Sequence, residues 1–273
     1  MKRALALAAG FAAAVPLAGH LRWTRASSEM TRSIEAGMKP ALDAFARDRV
    51  STLPDPVTRY FRRALPEGQR YIRRARLEQR GDFLANGTWR PFTATQVFSG
   101  EPAGFIWDAR IWMLPLAPVY VRDSYVNGVG SMEGRVFAVY PVVNQRNTHE
   151  LNAGALMRYL GEAAWFPTTL LPNRQVQWSA IDAHSARATL SDRGIRVSLD
   201  FTFTADGDIA EIYAPDRFRE VEGRYVPTPW RVRALGYEQF HGIRVMSPAE
   251  VAWILPEGEL TYWRGKVTGA DYE

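Results

Sequence analysis

The sequence predicts a mainly β fold of the α+β class: a large curved antiparallel sheet or half-barrel of about ten strands, packed on one central helix, with short helices at the N-terminal end. Three observations predict it. Period-two alternation recurs from residue 70 to the end, most clearly as Ile195, Val197, Leu199, Phe201 and Phe203 against Arg196, Ser198, Asp200, Thr202 and Thr204, so this strand has one buried and one wet face. Turn pairs such as Asn86-Gly87 and Asp206-Gly207 divide these runs at hairpin spacing. A single strongly amphipathic helix, predicted over 153–166, interrupts the series. No internal repeat marks the chain, which excludes a propeller or solenoid.

With 273 residues and 47% hydrophobic content, the chain can bury a substantial core, and one large β-rich domain is expected. Only Lys2, Lys39 and Lys266 are lysines, so its basic character is almost all arginine. The net charge of +5 is interspersed with acidic residues rather than clustered, and no nucleic-acid partner is predicted. Cysteine is absent, which excludes disulfides, thiolate catalysis, cysteine-ligated metals and a lipidated N-terminal cysteine. A monomer is expected.

Residues 1–23 read as a signal or anchor: Met1-Lys2-Arg3 precedes the apolar run ALALAAGFAAAVPLAG. The small residues Ala12-Ala13-Ala14 are followed at once by Val15-Pro16, a poor cleavage site, so an uncleaved or slowly cleaved N-terminal anchor is predicted, a transmembrane helix although the run of about 16 residues is short for a full span. Lys2 and Arg3 face Arg22 and Arg25 across the run, which leaves its orientation open. A buried helix of a cytosolic protein is the alternative. Residues 24–52 form a helical spacer, with Met30, Ile34, Met38, Leu42 and Phe45 at helical spacing. The single β-rich domain spans 53–273. It begins with a short helix, Pro56 suiting an early helical position and Val57, Tyr60, Phe61 and Ala64 sharing one side.

The run 70–80 alternates Tyr71, Ala75, Leu77 and Gln79 with Arg70, Arg74, Arg76 and Arg80. A strand with a solvated basic face is the simplest reading; a phosphate-binding patch or contact with anionic lipid headgroups is the alternative. Strands follow at 88–99, 104–113, 119–126 and 134–143, then the helix. It is capped by Asn152 and stopped by Pro167, with Leu156, Tyr159, Leu160, Ala163, Ala164 and Phe166 on one side and Arg158, Glu162 and Trp165 on the other. Further strands are predicted at 175–180, 184–190, 195–204, 209–214, 225–235, 243–245 and 260–264, with a short helix capped by Ser247-Pro248-Ala249-Glu250 before the last.

The signatures of zinc hydrolases, nucleotide-binding loops, serine hydrolases and dinucleotide folds are missing, and His20, His149, His184 and His241 are scattered, so no metal and no cofactor is predicted. The polar candidates are Arg158, Glu162 and Trp165 on the helix, Trp178 and Asp182 on the following strand, and Trp107, Asp108 and Asp123 earlier. Pointed into a cavity, Arg158 and Glu162 could anchor a ligand headgroup, and Glu162 with Asp182 could act as an acid–base pair. The simpler account is a surface pair at i,i+4 for the first two and a turn for Asp182. Most of the tryptophans, Trp230 among them, fill a curved sheet, but many aromatics with few convergent polar groups also suit an elongated apolar ligand.

The segments RYLGEAAWFPTTLLP (Arg158 to Pro172), QWSAID (Gln177 to Asp182), GFIWDAR (Gly104 to Arg110), TPWRV (Thr228 to Val232) and WILPEGELTYWRG (Trp253 to Gly265) resemble an uncharacterised bacterial family, a domain of unknown function, over about residues 53–265. The helix-plus-proline segment is the most specific part of the likeness, which implies no catalytic residue. The pattern is similar to the half-barrel-over-helices architecture of the LolA/LppX lipoprotein carriers, without the lipidated cysteine of LppX-like proteins. The expected function is an envelope-associated binding protein, membrane-anchored or exported with the periplasmic side favoured, that holds a lipid or other apolar molecule between curved sheet and helix. Its expected ligand-binding residues are Trp107, Asp123, Arg158, Glu162, Trp165, Trp178, Asp182 and Trp230. The alternatives are a hydrolase or lyase using Glu162 and Asp182, and a structural or interaction module with a filled core.

Overall fold

The computed structural model describes the backbone of residues 2–40, 43–114 and 117–273, and the side chains of 16–40, 43–113 and 118–273. Its main feature is one antiparallel sheet of 13 strands that curls into a half-barrel. Strands β1 (Arg74–Ala85), β2 (Thr88–Ser99), β3 (Gly104–Leu114), β4 (Ala117–Val126), β5 (Val129–Val136) and β6 (Tyr140–Arg146) form a meander outward from the centre to one edge. Helix α3 (His149–Glu162) then carries the chain across the concave side to the opposite edge. There β7 (Val176–Ala180), β8 (Ser185–Asp192), β9 (Ile195–Phe203), β10 (Ile209–Val221) and β11 (Arg224–Ala234) meander back toward the centre. The hairpin β12 (Tyr237–Phe240) and β13 (Ile243–Met246) stands apart, after which β14 (Ala249–Leu255) and β15 (Gly258–Tyr272) fill the gap beside β1.

The strand number exceeds the expectation of about ten for identifiable reasons. The predicted strand 134–143 is two, β5 and β6, joined by a turn in which Phe137 and Ala138 both take positive φ. Neither residue signals a turn, so the alternation of valines conceals the reversal. The predicted short helix after Ser247 is strand β14: a proline after serine also suits the start of a strand, and Val251, Trp253 and Ile254 favour extended backbone. β15 runs far beyond the predicted 260–264 because it pairs on both sides, with β14 and β1. The turn Asn127-Gly128 takes positive φ at both residues, as a tight hairpin of right-handed twist requires.

Several strand pairs carry bulges, and two of them flank the junction of β1, β15 and β14. Register slips by a residue between Glu78 and Gln79 and again between Val251 and Ala252, and such bulges bend the strands that carry them. Between the two slips Gly81 sits opposite Gly265; a Cβ on Gly81 would lie 1.9 Å from the Arg264 carbonyl oxygen, so only glycine permits the crease.

Helix α3 starts earlier than predicted. Thr148, not Asn152, is the N-cap, its hydroxyl accepting from the Leu151 amide, and Asn152 instead accepts from the Gly130 amide of β5. Because the helix joins opposite edges of a curled sheet, it packs on both arms, against β3, β4 and β5 on one side and β9 and β10 on the other. Its two sides are therefore both buried. The arms meet beyond its N-terminal half, where the Tyr125 hydroxyl on β4 donates to Asp192 Oδ2 on β8 at 2.9 Å. At the far end α2 (Asp55–Ala64) packs Tyr60 on Phe203 and Phe61 on Trp178.

Helix α1 (Lys2–Gly37) joins the N-terminal apolar run and part of the predicted spacer in one element. Its later turns lie on the convex face of β2 to β4 rather than standing free: Trp23 and Ile34 are buried, the Trp23 indole donates to Asp108 Oδ1 at 2.9 Å, and the Arg122 guanidinium lies 4.0 Å from the indole centre. Among the described residues no helix is long and apolar enough to cross a membrane. The side chains of the apolar run up to residue 15 lie outside the described residues.

Candidate functional site

On the concave face, inward-pointing residues come from alternate positions of each strand, and directly opposite residues share a face. Gln96 on β2 lies opposite Trp107 on β3, which lies opposite Asp123 on β4. One row thus carries an amide, an indole and a carboxylate into an otherwise apolar interior. Helix α3 crosses above it and presents Arg158 and Glu162, one turn apart. Arg158 Nη1 donates to Asp123 Oδ2 at 2.6 Å and Nε to Glu162 Oε1 at 2.7 Å, while its guanidinium lies 5.2 Å from the Phe105 ring centre and 5.0 Å from that of Trp107. The surface pair expected at i,i+4 is instead an interior one, with both side chains only 16% exposed.

A chain of hydrogen bonds leads away from Glu162. Gln96 Nε2 donates to Glu162 Oε2 at 2.7 Å, Gln79 Nε2 to Gln96 Oε1 at 2.9 Å, and the Trp107 indole to Gln79 Oε1 at 2.9 Å. The direction of this relay is forced. An indole N–H can only donate, so each amide must receive on its oxygen and donate from its nitrogen, and the chain must end on an acceptor. The carboxylate of Glu162 is that acceptor, with both oxygens engaged. Sequence reasoning missed Gln79 and Gln96. The signal was present in the alternation, which puts Gln79 on the same face as Ala75 and Leu77: a buried amide among apolar neighbours demands a partner.

The trio sets one guanidinium against two carboxylates. Burial works against the Arg158 charge, but Glu162 and Asp123 outweigh it and hold its pKa above the ordinary arginine value. Burial pushes the Glu162 carboxyl above the usual carboxylate range, with Arg158 and Gln96 offsetting part of that rise. Nη2 of Arg158 has no hydrogen-bond acceptor among the described residues, so one edge of the guanidinium can take a ligand oxygen.

The other predicted residues separate. Trp230 on β11 reaches toward α3 from the opposite arm, within 3.6 Å of where a Cβ on Gly161 would stand, and its indole donates to the Tyr262 hydroxyl. Trp165 lies beyond the helix end and donates to the Met246 carbonyl, pinning the β12–β13 hairpin. Trp178 packs with Phe201, its indole donating to the Leu170 carbonyl. Asp182 sits exposed in the β7–β8 turn, where Oδ1 accepts from the His184 amide. Four of the eight candidates, Trp107, Asp123, Arg158 and Glu162, form one site; no contact joins Asp182 to Glu162.

Directly beneath α3 the space is filled: Phe98 and Phe166 lie 4.4 Å apart, and Tyr159 packs on both. Beside the helix, toward the β14–β15 turn, the concave face is less covered. Phe83, Met113, Val121, Trp253 and Tyr262 are only partly buried there, with Trp253 stacked on Tyr262 at 5.9 Å and Arg217 over Trp253 at 5.2 Å. Partly buried apolar side chains and a guanidinium with a free edge thus lie on the same concave face. Among the described residues no group of three or more histidine, cysteine or carboxylate side chains is gathered for a metal.

No curated protein matches the chain. Among solved structures, a DUF1329 family protein from Desulfovibrio piger is similar at 10% identity and a TM-score of 0.41, covering 74% of this chain and 86% of its own. That likeness is too slight to carry an argument about function. A family model matches residues 43–265, nearly the whole β-rich domain and close to the expected extent, and the chain belongs to that family, DUF6544, a family of unknown function.

Proposed function

We propose that the protein binds a lipid or other elongated apolar molecule on the concave face, beside α3 rather than beneath it, with a polar headgroup on Arg158. The observation that carries this reading is the partly buried strip Phe83, Met113, Val121, Trp253 and Tyr262 next to the trio Asp123, Arg158 and Glu162. A fully packed interior would cover such aromatics, and burying them against an alkyl chain gains about 25 cal/mol per Å² of apolar area. The half-barrel with a helix across its concave side is compatible with that role. The reading places the folded domain in the cell envelope, held there by the N-terminal segment.

Native mass spectrometry after mild purification tests it: an amphiphile should accompany the wild-type chain and be depleted from Trp253→Ala and Tyr262→Ala. A wild-type protein that is repeatedly recovered empty, and that fails to take up a fluorescent fatty acid, would instead establish the filled-core alternative. For localisation, a reporter that works only after export, fused behind Glu273, should be active; activity of a cytoplasm-only reporter reverses the assignment.

A further inference from the structure

We propose that the cleft between α1 and the convex face of the sheet is a second site, on the opposite side from the first, which takes a phosphate-bearing anion. The row of outward-pointing residues across four neighbouring strands runs Lys266 on β15, Arg80 on β1, Thr93 on β2 and Arg110 on β3, each opposite the next. Lys266 and Arg80 stand directly opposite one another, a placement of like charges that costs stability. Helix α1 stands over this row and adds Arg32, with the hydroxyls of Ser28 and Thr31, to the walls of a cleft of about 710 Å³, into which Arg76 also opens.

Four arginines without a carboxylate partner among the described residues are gathered in this one cleft. Arg122, Arg187, Arg231, Arg233 and Arg244 all have a carboxylate partner. Among the described residues Arg32, Arg76, Arg80 and Arg110 have none within ion-pair distance. Two carboxylates, Glu78 and Asp108, line the cleft against four guanidinium groups, and Asp108 also accepts from the Trp23 indole and the Ser27 hydroxyl. The cleft is therefore cationic and rich in donors. Arg110 is held in place over the Tyr120 ring at 5.3 Å. Guanidinium groups flanking a threonine hydroxyl match the oxygens of a phosphate, which accept two parallel N–H bonds from each arginine. A soluble phosphate compound and the headgroup of an anionic lipid present the same chemistry.

The test uses the full chain at low salt with two probes: inorganic pyrophosphate, and phosphatidylcholine vesicles with or without phosphatidylglycerol. Preference for the phosphatidylglycerol vesicles assigns the site to a headgroup, and binding of pyrophosphate assigns it to a soluble phosphate. In either case the double variant Arg80→Ala/Arg110→Ala should bind about tenfold or more weakly, as the loss of charge-assisted hydrogen bonds implies, and the wild-type affinity should fall steeply with added salt. Arg187→Ala, on a distant strand, should bind as wild type. Both substituted arginines are exposed, and an unchanged far-ultraviolet spectrum confirms that the variant folds. Indifference of the wild type to both probes, or a double variant as tight as wild type, overturns the proposal.

Discussion

The two arms of the half-barrel present the same alternation of residues but different interiors. On the arm β7 to β11 the concave face is mostly apolar, with Leu190, Val197, Leu199, Phe201, Ile212 and Val232 buried, and Asp192, bonded to Tyr125 across the gap, and Thr228 as its polar exceptions. On the arm β1 to β4 the corresponding positions include Gln79, Gln96 and Asp123, buried as well. Helix α3 lies between them and answers each arm in kind, Gly161 meeting Leu199 on one side and Arg158 meeting Asp123 on the other. A polar residue on a face that alternation marks as buried must find a partner, and where several do so together they locate a site.

The largest effect is expected on the apolar arm. Phe201 is fully buried, packed against Trp178 and Phe203, so Phe201→Ala should cost about 3–5 kcal/mol in denaturant unfolding through lost burial and a residual cavity. A cost near zero would mean that this arm does not seal the core.

On the polar arm, Arg158→Met keeps most of the volume and leaves Asp123 and Glu162 without their shared cation. It should destabilise by about 2–4 kcal/mol, somewhat below a fully buried pair because both side chains keep some exposure. Part of that loss should be regained in acid, where the Glu162 carboxyl, already pushed up by burial, becomes neutral. A loss independent of pH would show that Arg158 acts by packing on Phe105 and Trp107 instead.

Glu162 gives a smaller, signed effect. Its folded-state pKa lies above its ordinary value of 4.5, so its contribution to stability is present below that pH and is lost as pH rises through the folded value. Glu162→Gln removes that titration. Its stability relative to wild type should therefore improve as pH is raised from about 4 upward, measured as the difference between two unfolding series; a difference that moves the other way would mean that Arg158 and Gln96 outweigh burial at this carboxyl. The smallest effect belongs to Thr202, next to Phe201 but on the outer face, where Thr202→Ala should stay within about 0.5 kcal/mol. A severe cost at both neighbours would show that this arm is covered on its two faces, as α1 already covers the other arm at Trp23.

Alternation and turn chemistry made the strands legible because a half-buried strand must repeat every second residue, and Ile195 to Phe203 carries no competing signal. The same local rules failed at Phe137-Ala138, where a reversal is imposed on residues that do not request it, and at Ala249 to Leu255, which becomes a strand because β11 and β15 are there to pair with it. Half of the site was legible for a similar reason. Arg158 and Glu162 stood out as a charged stripe on a helix, and Trp107 and Asp123 as polar groups among strands, but their meeting depends on register across three strands.

By itself, the sequence determined the class of fold, the one helix that crosses it, and which face of each strand is apolar, since these follow from local periodicity and from the cost of burying unpaired polar groups. The tertiary structure alone decided that α3 is enclosed on both sides, that Arg158 and Glu162 are interior, that Asp182 is not their partner, and that the arginines of β1 share a cleft with those of β3 and α1. Each of these turns on a sheet curling until its two arms reach one helix, and that curl is set by bulges and a glycine crease between strands far apart in the chain, which no local pattern encodes.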